Sequence, residues 1–193
     1  MSFDVSVIPH KNIILAVTGG IAAYKSAILV RRLKDAGFNV RVVMTQGAQA
    51  FITPLTFQAL SGNPVHTELL DPEAEAGMGH IELARWADLL LVAPASCDTL
   101  AKFAAGLADD LLSTLYLATN APVWVAPAMN QQMWAAKPTQ RNLATLIEDG
   151  VHVIMPESGS QACGDVGLGR LAEPEDIAQW VNDFFAQAER EIS

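Results

Sequence analysis

Five short stretches carry residue types able to do chemistry. In E-S-G-S-Q-A-C-G-D-V-G-L-G-R, Glu157 to Arg170, Cys163 stands among polar residues and glycines. A thiol in such a setting is unlike the usual buried cysteine, which behaves as a small hydrophobe. Cys97, directly behind an apolar run, fits that inert description better. In A-P-A-M-N-Q-Q-M-W, Ala126 to Trp134, Asn130 offers a neutral amide that both donates and accepts, which suits a carboxylate or an amide. It would equally cap a helix, with Met133 and Trp134 as core, and spacing does not choose. T-G-G-I-A-A-Y-K, Thr18 to Lys25, lets the backbone approach a phosphate beside free helix amides, or is a tight packing turn. A-P-A-S-C-D-T, Ala93 to Thr99, can line a flat ring or meet a phosphate, or cap a helix through Ser96 or Asp98. His80, after Gly79 at a helix start, titrates near neutral pH and so could serve as a base or sit as a capping residue.

The elements that must position these residues alternate. Asn12–Thr18 reads as a buried strand, Ile21–Ala36 as a helix stopped by Gly37, and Phe38–Met44 as a second strand. Gln46–Leu60 reads as a helix, Val65–Leu70 as a weak strand, His80–Trp86 as a short helix and Asp88–Ala93 as a strong strand. Leu100–Ala118 is helical with a break near Gly106. Pro122–Ala126 and Val151–Met155 are strands around a helix at Thr139–Asp149, and Glu173–Glu189 is a final amphipathic helix. Such alternation predicts an α/β fold: a Rossmann-like or flavodoxin-like, doubly wound parallel sheet of about six strands in one domain, residues 1–193. Ligands of such sheets bind beyond the carboxyl ends of the strands, which selects Gly19–Lys25, Thr45–Phe51, Pro94–Thr99, Pro127–Trp134 and Pro156–Leu171. The stretch from about 156 to 172 is expected to be a loop without regular structure, a lid or binding loop by its length.

Bulk properties narrow the class. The 193 residues are 51% hydrophobic and 17% charged, enough for a real core. A net charge of -9 argues against nucleic acid or an anionic membrane as partner, though not against a phosphate held by backbone amides. No apolar run approaches the roughly 20 residues of a membrane span, and the N-terminus lacks the pattern of a signal peptide. A cytoplasmic protein with two free thiols is expected. The turn after the first strand is not G-x-G-x-x-G, and Met44 and Thr45 stand where an acidic ribose ligand would. A mononucleotide therefore suits it better than a dinucleotide. No metal-ligand spacing occurs, so no metal is assigned.

Taken in order, G-G-I-A-A-Y-K, G-H-I-E-L, A-P-A-x-x-D-T, A-x-G-x-A-D-D-L-L-S, P-A-M-N-x-x-M-W and S-G-S-Q-A-C-G-D-x-G-x-G-R resemble the homo-oligomeric flavin-containing cysteine decarboxylases. The resemblance runs from about residue 11 to about 175 and is nearest to the decarboxylase half of bacterial bifunctional enzymes of coenzyme A biosynthesis. It implies FMN, with Gly19, Gly20, Ile21, Thr45, Phe51, Ser96, Cys97, Asp98, Thr99, Ala128 and Met129 around it. It implies His80 as base, Asn130 as the residue holding the substrate, and Cys163 as proton donor on a clamp, with Ala162, Gly164 and Leu171 beside the substrate. The family usually has another small residue at Cys97, which is read here as packing. The implied reaction is decarboxylation of 4′-phosphopantothenoylcysteine to 4′-phosphopantetheine, through oxidation to a thioaldehyde, loss of carbon dioxide and reduction of the enethiolate. Flavin sites of this family form between subunits, so a trimer or a dodecamer of trimers is implied.

Three alternatives belong to related chemistry or to none. A peptidyl-cysteine decarboxylase would act on a longer substrate. A flavin prenyltransferase would have no need of the cysteine loop. A non-catalytic regulatory subunit that binds a protein phosphatase generally carries an acidic tail, absent here, and can lose the histidine or asparagine that this chain keeps.

Overall fold

Uninterrupted apolar runs become the central strands, because a strand covered on both faces has no side left for polar residues. In the computed structural model, which describes residues 11–69, 79–162 and 164–192, β1 (Asn12–Val17) and β4 (Leu89–Ala95) are buried almost throughout. They lie side by side at the centre of a six-stranded sheet. Around them stand β2 (Asn39–Met44), β3 (Val65–His66), β5 (Val123–Pro127) and β6 (His152–Val153), in the order β3-β2-β1-β4-β5-β6 with every pairing parallel. This is the doubly wound arrangement expected from the sequence.

Alternate residues of the central strands feed two cores. Ile13, Leu15, Val17, Leu89, Leu91 and Ala93 face one layer, built on α1 (Ala23–Asp35) and the C-terminal α9 (Pro174–Ile192). Ile14, Ala16, Leu90, Val92 and Ala95 face the other. That layer holds α4 (His80–Trp86), α5 (Cys97–Ala104), α6 (Leu111–Ala118) and α8 (Lys137–Glu148).

Two expectations are revised, and a reading left open is filled by a helix. The helix read over Gln46–Leu60 is two, α2 (Gln46–Gln49) and α3 (Pro54–Ser61). Pro54 forces Thr53 out of the helical region, to φ -84° and ψ 150°. A short helix, α7 (Gln131–Ala135), follows β5 within a stretch too brief to show a period. The stretch read as irregular pairs instead as an antiparallel hairpin of β7 (Glu157–Ser160) and β8 (Val166–Arg170). Its glycines replace the β-branched residues by which a strand is normally recognised.

The D-D-L-L-S motif has a structural use. Asp110 caps α6 by accepting from the Ser113 amide at 2.8 Å, while the Ser113 hydroxyl accepts from the Asp110 amide at 3.1 Å. Burial pushes the Asp110 carboxyl up, but the Ser113 hydrogen bonds and Lys102 at 3.0 Å more than offset this and hold it below its ordinary value. Asp110→Ala should therefore lower unfolding stability at neutral pH by about 1 kcal/mol, measured by denaturant titration. A carboxyl with a depressed folded pKa stabilises fully above its unfolded value, about 4, and the benefit disappears as pH falls through the folded value. Variant and parent should then converge in strong acid.

Candidate active site

Strand order reverses between β1 and β4, and the helices that follow them, α1 and α5, leave on opposite faces of the sheet. Such a reversal opens a crevice at the carboxyl edge. Thr18 fastens its floor: its hydroxyl donates to the Pro94 carbonyl at 2.7 Å and accepts from the Ser96 amide at 2.8 Å. Ser26 adds a bond from its hydroxyl to the Ala93 carbonyl at 2.7 Å.

The two glycines after β1 do different work. A Cβ on Gly19 would sit 3.0 Å from the Gly47 backbone, so the turns after β1 and β2 pass in direct contact. Gly20 faces open space, and α1 then begins at Ala22 and Ala23 without a side-chain cap. One glycine serves packing and the next leaves room against an uncapped helix start. The packing reading of this turn holds for Gly19.

A cavity of about 590 Å³ fills the crevice. Gly19, Gly20, Ile21, Ser96 and Cys97 line one side; Ala128, Met129 and Asn130 come from the end of β5. Ala162 and Leu171 reach it from the hairpin. These are ten of the residues expected from the sequence, drawn from four separate stretches.

Others stand apart. Thr45 caps α2 by accepting from the Ala48 amide at 3.3 Å, and Phe51 is exposed beyond it. Asp98 points to Lys102, and Thr99 is buried with its amide and hydroxyl bonded to the Ser96 hydroxyl. Ser96 thus acts as the helix cap while its residue borders the cavity. Gly164 lies in the hairpin turn at φ +89°. His80, half-buried at the first residue of α4, is outside the cavity lining. Cys163 lies outside the described residues; its neighbour Ala162 borders the cavity.

Asn130 occupies a defined place. Its Oδ1 accepts from the Gln132 amide at 2.8 Å, which caps α7, and its Nδ2 donates to Asp165 Oδ2 at 3.0 Å. The capping and ligand-holding readings are therefore compatible, because each uses a different end of the amide. Trp134 is core, as a capping reading requires, whereas Met133 is exposed at the cavity.

Sequence reasoning passed over Lys25, Gln161 and Arg170, all at the cavity. Lys25 is buried, with Nζ 2.8 Å from Glu173 Oε1 and 3.3 Å from the Leu171 carbonyl. Arg170 meets the same Glu173 oxygen at 3.1 Å and lies across Gly159, where an added Cβ would oblige the arginine side chain to move. The trio ties the base of the hairpin to α1. One signal was legible: Lys25 shares the buried stripe of α1 with Leu29 and Leu33, where a lysine needs a partner.

Among the described residues, no cluster of His, Cys, Asp and Glu is placed to hold a metal ion, and no helix is long and apolar enough to cross a membrane.

A family model described as Flavoprotein matches residues 6–186. The chain is 57% identical over 177 residues to the Coenzyme A biosynthesis bifunctional protein CoaBC of Haemophilus influenzae, covering 92% of this chain and 44% of that protein. It thus spans less than half the length of that relative. Among solved structures it is similar to a cysteine-to-serine mutant of a PPC decarboxylase complexed with pantothenoylaminoethenethiol, at TM-score 0.81 and 35% identity. That likeness covers 92% of this chain and 99% of the other. It is also similar to the FMN-dependent cysteine decarboxylase SpaF, at TM-score 0.79 and 30% identity, covering 94% and 98% of the two chains.

Proposed function

Because this chain belongs to the flavoprotein family, we propose that it binds FMN and decarboxylates 4′-phosphopantothenoylcysteine to 4′-phosphopantetheine. The observation that carries the reading is the Asn130 amide. It borders a cavity large enough for a flavin and a substrate tail, and it already holds a carboxylate, that of Asp165. A group shaped to receive the chain's own carboxylate is suited to receive a substrate's.

The donor set fits FMN. The uncapped start of α1 beside the open Gly20 suits a phosphate, and Ile21, Ala128 and Met129 offer apolar surface to a ring. When bound, FMN would supply the oxidation, and its reversal, that make loss of an otherwise unactivated carboxyl feasible. The chain's residues bind, orient and move protons. Asn130 would hold the carboxylate by its Nδ2, which in this structure donates to Asp165 Oδ2, while Oδ1 caps α7. Cys163 would return a proton to the substrate carbon, on a clamp taken here as about residues 156–172. His80 would assist deprotonation of the substrate thiol.

His80 stands outside the cavity of its own chain, and we assign it to a site completed by a neighbouring copy. An apolar face supports a homo-oligomer. Tyr24 and Ile28 on α1 and Ile21 just before it are exposed, as are Leu55 on α3, which packs against α1, and Phe51 ahead of it, with Leu55 70% and Ile21 61% exposed. Apolar residues grouped in this way mark an interaction surface. The Leu55→Asp variant should shift the mass in light scattering from a trimer or larger assembly toward the 20.7 kDa of one chain. A parent protein already monomeric would contradict the assignment. We place the protein in the cytoplasm.

Substrate choice is tested by offering purified protein, loaded with FMN, either 4′-phosphopantothenoylcysteine or a peptide ending in cysteine. Consumption of the first alone supports the reading. Consumption of the peptide alone would move the chain to the peptidyl-cysteine decarboxylases.

A further inference from the structure

The short helix α7 has only five residues, too few to hold its own shape in water. Asn130 begins it, so the direction of the Asn130 amide must be imposed from outside. One side chain reaches both of its neighbours. Gln161, at the end of β7, accepts from the Gln131 amide through Oε1 at 3.1 Å. Its Nε2 faces the Met129 carbonyl at 3.4 Å and donates to the Leu168 carbonyl on the opposite hairpin strand at 3.3 Å. A single carboxamide thus ties the peptide groups on either side of Asn130 to the hairpin.

The backbones close the same contact. The Met129 amide donates to the Gly169 carbonyl at 2.9 Å. Gly169 has φ +138°, and a Cβ there would collide with the Met129 carbonyl and lie 2.8 Å from Gln161 Nε2. A Cβ on Gly167 would likewise strike the Gln131 side chain. The two glycines bring the hairpin so near that Gln161 can span the gap.

We propose that Gln161 is a positioning residue: acting through Asn130, it fixes the direction in which that amide meets the substrate carboxylate. This rests on the reading of Asn130 given above. Gln161 also binds the hairpin to the carboxylate site, so that clamp and receptor form one unit.

The test is Gln161→Met, which keeps the length of the side chain and removes its hydrogen bonds, in the parent and in an Asn130→Ala background. In the parent, kcat/KM should fall about tenfold or more, since several bonds holding one geometry are lost together. FMN absorbance and thermal midpoint should stay near parental values. In the Asn130→Ala background the same change should cost less than about twofold, because residues acting as a unit are non-additive. Hydrogen exchange gives a readout without substrate: amides of the segment 129–135 should exchange about tenfold faster in Gln161→Met, and those of β1 should not change. Equal losses in both backgrounds, or unchanged exchange at 129–135, would overturn the proposal. Full activity in Asn130→Ala, with accelerated exchange in Gln161→Met, would instead remove the reading of Asn130 and the catalytic part of the proposal with it.

Discussion

Replacing Cys163 by serine should reduce turnover by roughly 10²–10⁴-fold, the range lost when a positioned proton donor is removed. A hydroxyl is almost isosteric with the thiol but is a far weaker acid, so substrate binding should survive while the final protonation does not. Carbon dioxide would still be released. The accumulating organic product should be one hydride and one proton short of 4′-phosphopantetheine, visible in the mass spectrum of the quenched mixture. Normal yield of 4′-phosphopantetheine from Cys163→Ser would take the proton-donor role away from this residue.

Exchanging Asn130 for aspartate should separate structure from binding. Aspartate caps helices as well as asparagine does, so the bond to the Gln132 amide and the stability of α7 should persist. The donor facing Asp165 and the cavity, however, becomes an anion. A hydrogen bond to a charged group contributes about 1.5–3 kcal/mol, and the new charge repels the substrate carboxylate as well. kcat/KM should therefore drop by about 100-fold or more, while the thermal midpoint falls only modestly through repulsion between the new carboxylate and Asp165. Steady-state kinetics beside a thermal melt distinguishes this from unfolding. A variant that loses activity only in proportion to lost stability would make Asn130 a cap and nothing more.

The sequence made the sheet and the site edge legible for a physical reason. Strands such as Leu89–Ala95 are buried on both faces and so are written as unbroken apolar runs, and β1, β4 and β5 are each followed by residues that border the cavity. Gly20, Ala128, Met129 and Asn130 could be placed on the cavity because strand ends dictate where the crevice opens. The hairpin was not legible, because its strands are chosen for what they touch. Gly167 and Gly169 are there to let Gln131 and Met129 approach, and a glycine-rich strand has no propensity of its own. Gln161 and Lys25 were missed for a related reason: their partners, Met129, Gln131 and Glu173, are far along the chain, and only folding brings them together. His80 was placed at its helix start without difficulty, yet one chain alone does not bring it to the cavity.

The most direct test of the central claim is to incubate the purified, FMN-loaded protein with 4′-phosphopantothenoylcysteine labelled in its carboxyl carbon, and to measure labelled carbon dioxide together with 4′-phosphopantetheine. The account predicts that both form in equal amounts over many turnovers. Substrate that remains intact, in a protein that demonstrably holds FMN, would contradict it.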